Sequence, residues 1–192
     1  MRTFHFLYKS AFVALSAGLL LVFIMALRPS PIYSCENGEA NFISYADLEV
    51  IKAKSNELRG AVDISTRSFL FSVKVHTFQG FNSALQREHF NENYLEADKF
   101  PAATFQGKFI EEIDLSKEGN YEVRAKGILE VHGVKQERII KGGIEVKDGI
   151  LHIRSHFSVL LEDHNIKIPR VVYQKISPEI EINIDAVLRP VK

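Results

Sequence analysis

The chain has 192 residues, 24 Lys and Arg against 24 Asp and Glu, 46% hydrophobic residues, 14 Phe, no Trp and a single Cys. The hydrophobic content is too high for a disordered chain, and one cysteine rules out an internal disulfide. The first 34 residues contain Arg2, Lys9 and Arg28 but no acid, so the rest carries 21 basic and 24 acidic side chains, a net −3 that argues against nucleic acid as a partner.

Residues 1–35 read as a signal peptide or an N-terminal membrane anchor. Arg2 and Lys9 precede an uncharged run, Ala11 to Leu27, followed by Arg28, Pro29 and Pro31. Its 17 residues are long for the apolar part of a signal and short for a spanning helix. Either way the domain, residues 36–192, is expected outside the cytoplasm, in the periplasm or exported. Cys35 after Ile32-Tyr33-Ser34 is a loose match to a lipid-modified cysteine, with Tyr33 fitting badly. Membrane contact is therefore expected through the N-terminal segment or Cys35.

Beyond that segment the hydrophobic period is two, the mark of strands with one dry face. Strands are expected near 40–46, 48–54, 58–64, 68–76, 103–113, 121–131, 137–146 and 150–161, with a ninth at 180–188. Ile180, Ile182, Ile184, Ala186 and Leu188 alternate with mostly polar residues. Asp148-Gly149 is the strongest hairpin signal, since a two-residue turn with positive φ favours that pair. Gly60, Gly107, Gly127 and Gly142-Gly143 interrupt strands, as bulges and barrel bends do. One helix is expected after Ser83, whose capping box with Gln86 starts it, with Leu85, His89 and Phe90 inward.

Two motifs go further. Phe100-Pro101-Ala102-Ala103-Thr104-Phe105 runs from the helical segment into a strand, and Gly127-Ile128-Leu129-Glu130-Val131-His132-Gly133-Val134 forms a second signature. Together they resemble the YceI-like family of bacterial periplasmic proteins, over roughly Glu39 to Leu188. The segment from Glu88 to Pro101 departs from the usual pattern of that family. The resemblance implies an all-β, eight-stranded antiparallel lipocalin-like barrel with a short helix inserted between strands. It also implies non-catalytic binding of a polyisoprenoid or similar long lipid, with no cofactor. Periodicity alone leaves open a barrel filled by its own side chains, acting as an envelope stress or interaction protein through its outer surface.

If the cavity exists, the dry faces would line it with Phe69, Phe71, Val73, Phe105, Phe109, Tyr121, Val123, Ala125, Leu129, Ile153, Phe157, Ile182 and Ile184. Aromatic residues gathered around the helix, Phe78, Phe81, Phe90, Tyr94 and Phe100, are candidates for its mouth. Other chemistry has little support. His152 and His156 share a strand face about 13 Å apart, too far to grip one metal ion. No nucleophile elbow is present. Asp163-His164, with Glu162 nearby, would make an acid/base pair only if their loop folded into the mouth.

Overall fold

The computed structural model describes residues 32–191. The expected leader, including the Ala11–Leu27 run, lies outside the described residues except for its last four. Eight strands run in sequence: β1 (Ile32–Tyr45), β2 (Val50–Asp63), β3 (Ser68–Lys74), β4 (Ala102–Phe109), β5 (Gly119–Val131), β6 (Val134–Lys147), β7 (Ile150–Leu160) and β8 (Glu179–Pro190). Each pairs antiparallel with the next, and β8 returns to β1, closing the barrel. Closure removes every free sheet edge, which long amphipathic strands would otherwise expose.

One sequence expectation needs correction here. The strands expected at 48–54 and 58–64 are one continuous strand, β2. The inward face passes from Ile51, Ala53 and Ser55 to Leu58, Gly60 and Val62 because the register jumps between Ala40↔Ser55 and Gly38↔Leu58. That irregularity shifts the period by one and makes a single strand look like two. The boundary expected at 35/36 falls inside β1, where Tyr33 pairs with Val62 and Pro190 and is buried in the core.

Asp148 and Gly149 take φ of 51° and 68°, the two-residue turn their sequence demands, and His132-Gly133 at 51° and 70° make a second. Gly107 pairs with Gly127 across β4 and β5, and a Cβ on Gly107 would lie 2.0 Å from the Lys126 carbonyl oxygen. The neighbouring backbone thus takes the space a side chain at position 107, between Phe105 and Phe109, would need.

Because neighbours alternate in direction, the β2–β3, β4–β5 and β6–β7 connections share one end of the barrel with Ile32 and Val191. The other end carries the β1–β2 hairpin, the β3–β4 insertion, the β5–β6 turn and the long β7–β8 loop. The first end is packed shut. Val62, Phe69, Phe109, Ile144, Leu151 and Leu188 form its core, and Leu115 from the β4–β5 loop joins them. Inserted between β3 and β4 is α1 (Ala84–His89), whose N-cap Ser83 accepts from the Gln86 amide at 3.2 Å while Gln86 reaches back to the Asn82 N–H at 3.1 Å. A single turn of π-helix, Phe90–Tyr94, continues it. Leu85 points out, at 57% exposure, against the inward orientation expected for it. In so short a helix the inward stripe is carried by Gln86, His89 and Phe90, which line the interior.

Candidate functional site

Inward-facing side chains divide by height along the barrel axis. Toward the closed end they are buried, as at Val123, Ile144 and Leu151. They are buried again near the other end, as at Phe42, Val73, Leu129, Val159 and Ile180, whereas at mid-height Phe71, Ala103, Phe105, Ala125, Ser155, Phe157, Ile182 and Ile184 face inward yet stay only half-buried, because they surround a cavity of about 420 Å³. That volume lies within the range of small-molecule sites. Its walls are overwhelmingly apolar. A long hydrocarbon suits such walls, since each methylene moved out of water contributes about 0.8 kcal/mol before ordering costs are subtracted.

Two groups of rings shape it. Phe69 stands 5.0 Å from Phe105 and 5.2 Å from Phe109 between ring centres, forming one wall near the floor. At the mouth Phe42 on β1 stacks on Phe90 at 5.2 Å and meets Phe78 at 5.6 Å and Phe81 at 5.9 Å. These contacts seat the β3–β4 insertion against the barrel rim. Polar bonds hold it as well: Gln86 Nε2 donates to Glu49 Oε1 at 2.6 Å, and Asn82 Nδ2 donates to the same oxygen and to the Val50 carbonyl. Tyr94 also lines the cavity, and burial raises its phenol above the ordinary value.

The β7–β8 loop, residues 161–178, supplies the remaining wall. Leu161, Ile166, Val172 and Ile176 turn inward. The loop is pinned by Leu161 N–H to the Pro178 carbonyl at 2.9 Å, by Ser177 N–H to the buried Ser44 Oγ at 2.9 Å, and by Leu48 N–H to the Gln174 carbonyl at 2.9 Å.

A family model described as YceI-like domain matches residues 36–188. The chain belongs to the YceI-like family. Its fold is similar to that of a polyisoprenoid binding domain from Saccharophagus degradans implicated in plant cell wall breakdown, with TM-score 0.70 at 9% identity over 85% of this chain and 100% of that one. Burkholderia cenocepacia BcnA is similar with TM-score 0.64 at 11% identity, over 79% of this chain and 95% of the other. The Campylobacter jejuni YCEI protein gives 0.53 at 18% identity, over 71% and 81%. At such identities the likeness is one of fold. No curated protein matches the sequence.

The two YceI-like motifs turn out to be one packing unit. The Phe100 ring meets His132 edge-on, with ring centres 4.8 Å apart, and a Cβ on Gly133 would lie 2.4 Å from that ring. His132 bridges the His164 carbonyl, at 3.0 Å from Nδ1, and Glu96 Oε2, at 2.9 Å from Nε2. Lys99 and His132, in that order, hold the Glu96 carboxyl below its usual range. The insertion is thereby tied to the β5–β6 turn as well as to the rim.

Of the residues expected to line the cavity, Phe69, Phe71, Val73, Phe105, Phe109, Val123, Ala125, Leu129, Ile153, Phe157, Ile182 and Ile184 do so. Tyr121 does not. It lies at the closed end, where its hydroxyl donates to the Lys117 carbonyl at 3.0 Å and the Asp114 carbonyl at 3.3 Å, fastening the loop that carries Leu115. At the mouth Phe78, Phe81, Phe90 and Tyr94 line the cavity, but Phe100 is withdrawn to the Gly133 face. The sequence reading missed Phe42, Leu58, Ile140 and Ile180, all inward on strands it had placed, and the loop residues 166, 172 and 176, which follow no strand period.

Cys35 sits within β1 against the lower core, its thiol near the Leu58 carbonyl and raised in pKa by burial. Tyr33, two residues ahead of it, is buried in the core, so processing ahead of Cys35 would remove a core side chain. Asp163 and His164 form no acid/base pair in the mouth. His164 is wholly buried, its Nδ1 donating to the Val134 carbonyl at 3.2 Å and its Nε2 without a partner, while Asp163 lies 3.9 Å from Arg138 on the outside. Among the described residues no three His, Cys, Asp or Glu side chains converge as a metal site would require.

Proposed function

We propose that this YceI-like protein binds one long apolar lipid, a polyisoprenoid or a molecule of similar shape, without catalysing a reaction on it, in the bacterial cell envelope outside the cytoplasm. The observation that carries the proposal is the half-buried ring of inward apolar residues around an open cavity of about 420 Å³. A barrel filled by its own side chains would bury those positions as thoroughly as it buries Val62 and Leu188 at the closed end. The Saccharophagus degradans domain is named for polyisoprenoid binding, and the shared family and fold support carrying that ligand class here. The envelope location is supported by the basic residues and uncharged run at the N-terminus.

The test is mass spectrometry of an organic extract from natively purified protein. A long-chain isoprenoid or comparable lipid at close to one per chain is expected. An empty extract, together with no uptake of added long-chain isoprenoid alcohol by the delipidated protein, overturns the proposal and favours a protein acting through its outer surface. Cell fractionation tests the location, which recovery of the full-length chain chiefly in the cytosol would contradict.

A further inference from the structure

Five large apolar side chains stand in water around the open end: Tyr45 at 56% exposure, Leu48 at 66%, Leu85 at 57%, Val171 at 87% and Tyr173 at 63%. They come from three segments, the β1–β2 hairpin, α1 and the β7–β8 loop. Each of those segments turns other residues inward to line the cavity: Glu49 and Ile51, Gln86 and His89, and Val172 and Ile176. The segments are also joined to one another, through Leu48 to Gln174 and through Asn82 and Gln86 to Glu49. The rim is thus one fixed apolar fringe around the entrance, unlike the isolated Leu70 and Ile139 on the barrel wall, which are the ordinary scatter of a surface.

Charge selects the occupant of that fringe. Residues 165–178 carry Lys167, Arg170 and Lys175 and no acid, on a domain that is net acidic. Of the acids flanking the loop, Asp163 faces Arg138 and Glu179 accepts from the Ser158 hydroxyl, and Glu162 is exposed. On the neighbouring hairpin Glu49 is engaged by Gln86 and Asn82, leaving Asp47 as its free acid. A two-fold contact with a second copy of the chain would gather the cations of both loops into one interface. Tyrosines and aliphatic tips interleaved with Lys and Arg are instead the composition that rests at a bilayer interface and draws on anionic headgroups.

We propose that the open end of the barrel docks on an anionic lipid bilayer, with Tyr45, Leu48, Val171 and Tyr173 dipping into the interface and Lys167, Arg170 and Lys175 on the headgroups. The inference rests on the lipid-binding reading of the cavity for its purpose: a ligand insoluble in water passes between bilayer and barrel without crossing solvent. Its geometry does not depend on that reading.

The chain has no Trp, so one introduced indole reports a single place. The full chain carrying Tyr173→Trp is mixed with vesicles of equal parts phosphatidylglycerol and phosphatidylcholine, with and without brominated acyl chains, and compared with Ile139→Trp on the outer wall. Docking shifts the emission of the rim indole at position 173 to the blue and lets brominated chains quench it, while the wall indole at position 139 is unchanged. Adding Lys167→Glu and Arg170→Glu to the Tyr173→Trp chain weakens the vesicle response by about tenfold or more. If the rim indole behaves like the wall indole, or shifts without vesicles as protein concentration rises, the proposal fails, the second result assigning the rim to a second copy. Lipid extracts of the charge-reversed chain separate the two readings. Bound lipid retained with docking lost supports both, whereas empty wild-type extracts with docking intact would sink the cavity reading alone.

Discussion

Replacing Ile182 by Phe tests the open cavity most directly. Ile182 lies on β8 between Phe42 of β1 and Phe157 of β7, facing inward and half-buried, so a larger side chain there extends into open space. The exchange adds about three side-chain carbons. With each ligand methylene kept out removing about 0.8 kcal/mol, lipid affinity falls by about 2 kcal/mol, roughly thirtyfold in Kd. Stability of the lipid-free protein changes by less than about 1 kcal/mol, because nothing packed is displaced. Val123→Phe is the contrast. Val123 is 4% exposed and belongs to the lower core, so the same ring overpacks it and costs about 1 to 3 kcal/mol. Urea unfolding of delipidated protein gives the stabilities, lipid being removed first because bound ligand would add its own stabilisation. Titration with a fluorescent long-chain isoprenoid alcohol gives the affinities. If Ile182→Phe destabilises as much as Val123→Phe and leaves the affinity unchanged, the upper barrel is packed and the reasoning is wrong.

Three further outcomes are expected. Burial, the largest influence on His164, holds its imidazole below the ordinary value, so the folded state favours the neutral ring; its stabilisation is complete above about pH 6.5 and is lost as pH falls below that, and the stability gap between wild type and His164→Gln should narrow on acidification in pH-dependent urea melts. Because burial also raises the Cys35 thiol, its reaction with a maleimide near neutral pH should be slow in the folded protein and become fast in urea, and equal rates in both would place the thiol in solvent. Gly107→Ala should destabilise by about 4 kcal/mol or more, since its Cβ would meet the Lys126 carbonyl oxygen at 2.0 Å, and a variant melting like wild type would show that β4 and β5 do not approach so closely.

The barrel itself was legible because a period of two survives in β3, β5, β7 and β8 and because Asp148-Gly149 admits one kind of turn. What periodicity reports is the face of a residue and not its height along the axis. Tyr121 therefore appeared beside Val123 as a cavity residue, although its hydroxyl fastens the floor loop. Phe100 was misjudged for a different reason: its partner, the bare face of Gly133, lies a whole strand pair away in the chain and leaves no local trace. The residue that shifts the register near Ser55 erased the continuity of β2, and the β7–β8 loop, whose inner side closes the cavity, has no period to read. The family motifs marked a contact between the Phe100-Pro101 step and the His132-Gly133 turn, which holds the insertion in place but touches no cavity.

The Val191 N–H donates to the Ile32 carbonyl at 2.7 Å, so the first and last described residues meet beneath the packed floor. The barrel is therefore a cup gripped by its base. Ile32 and Val191 both stand at that base, at the end of the barrel opposite the brim.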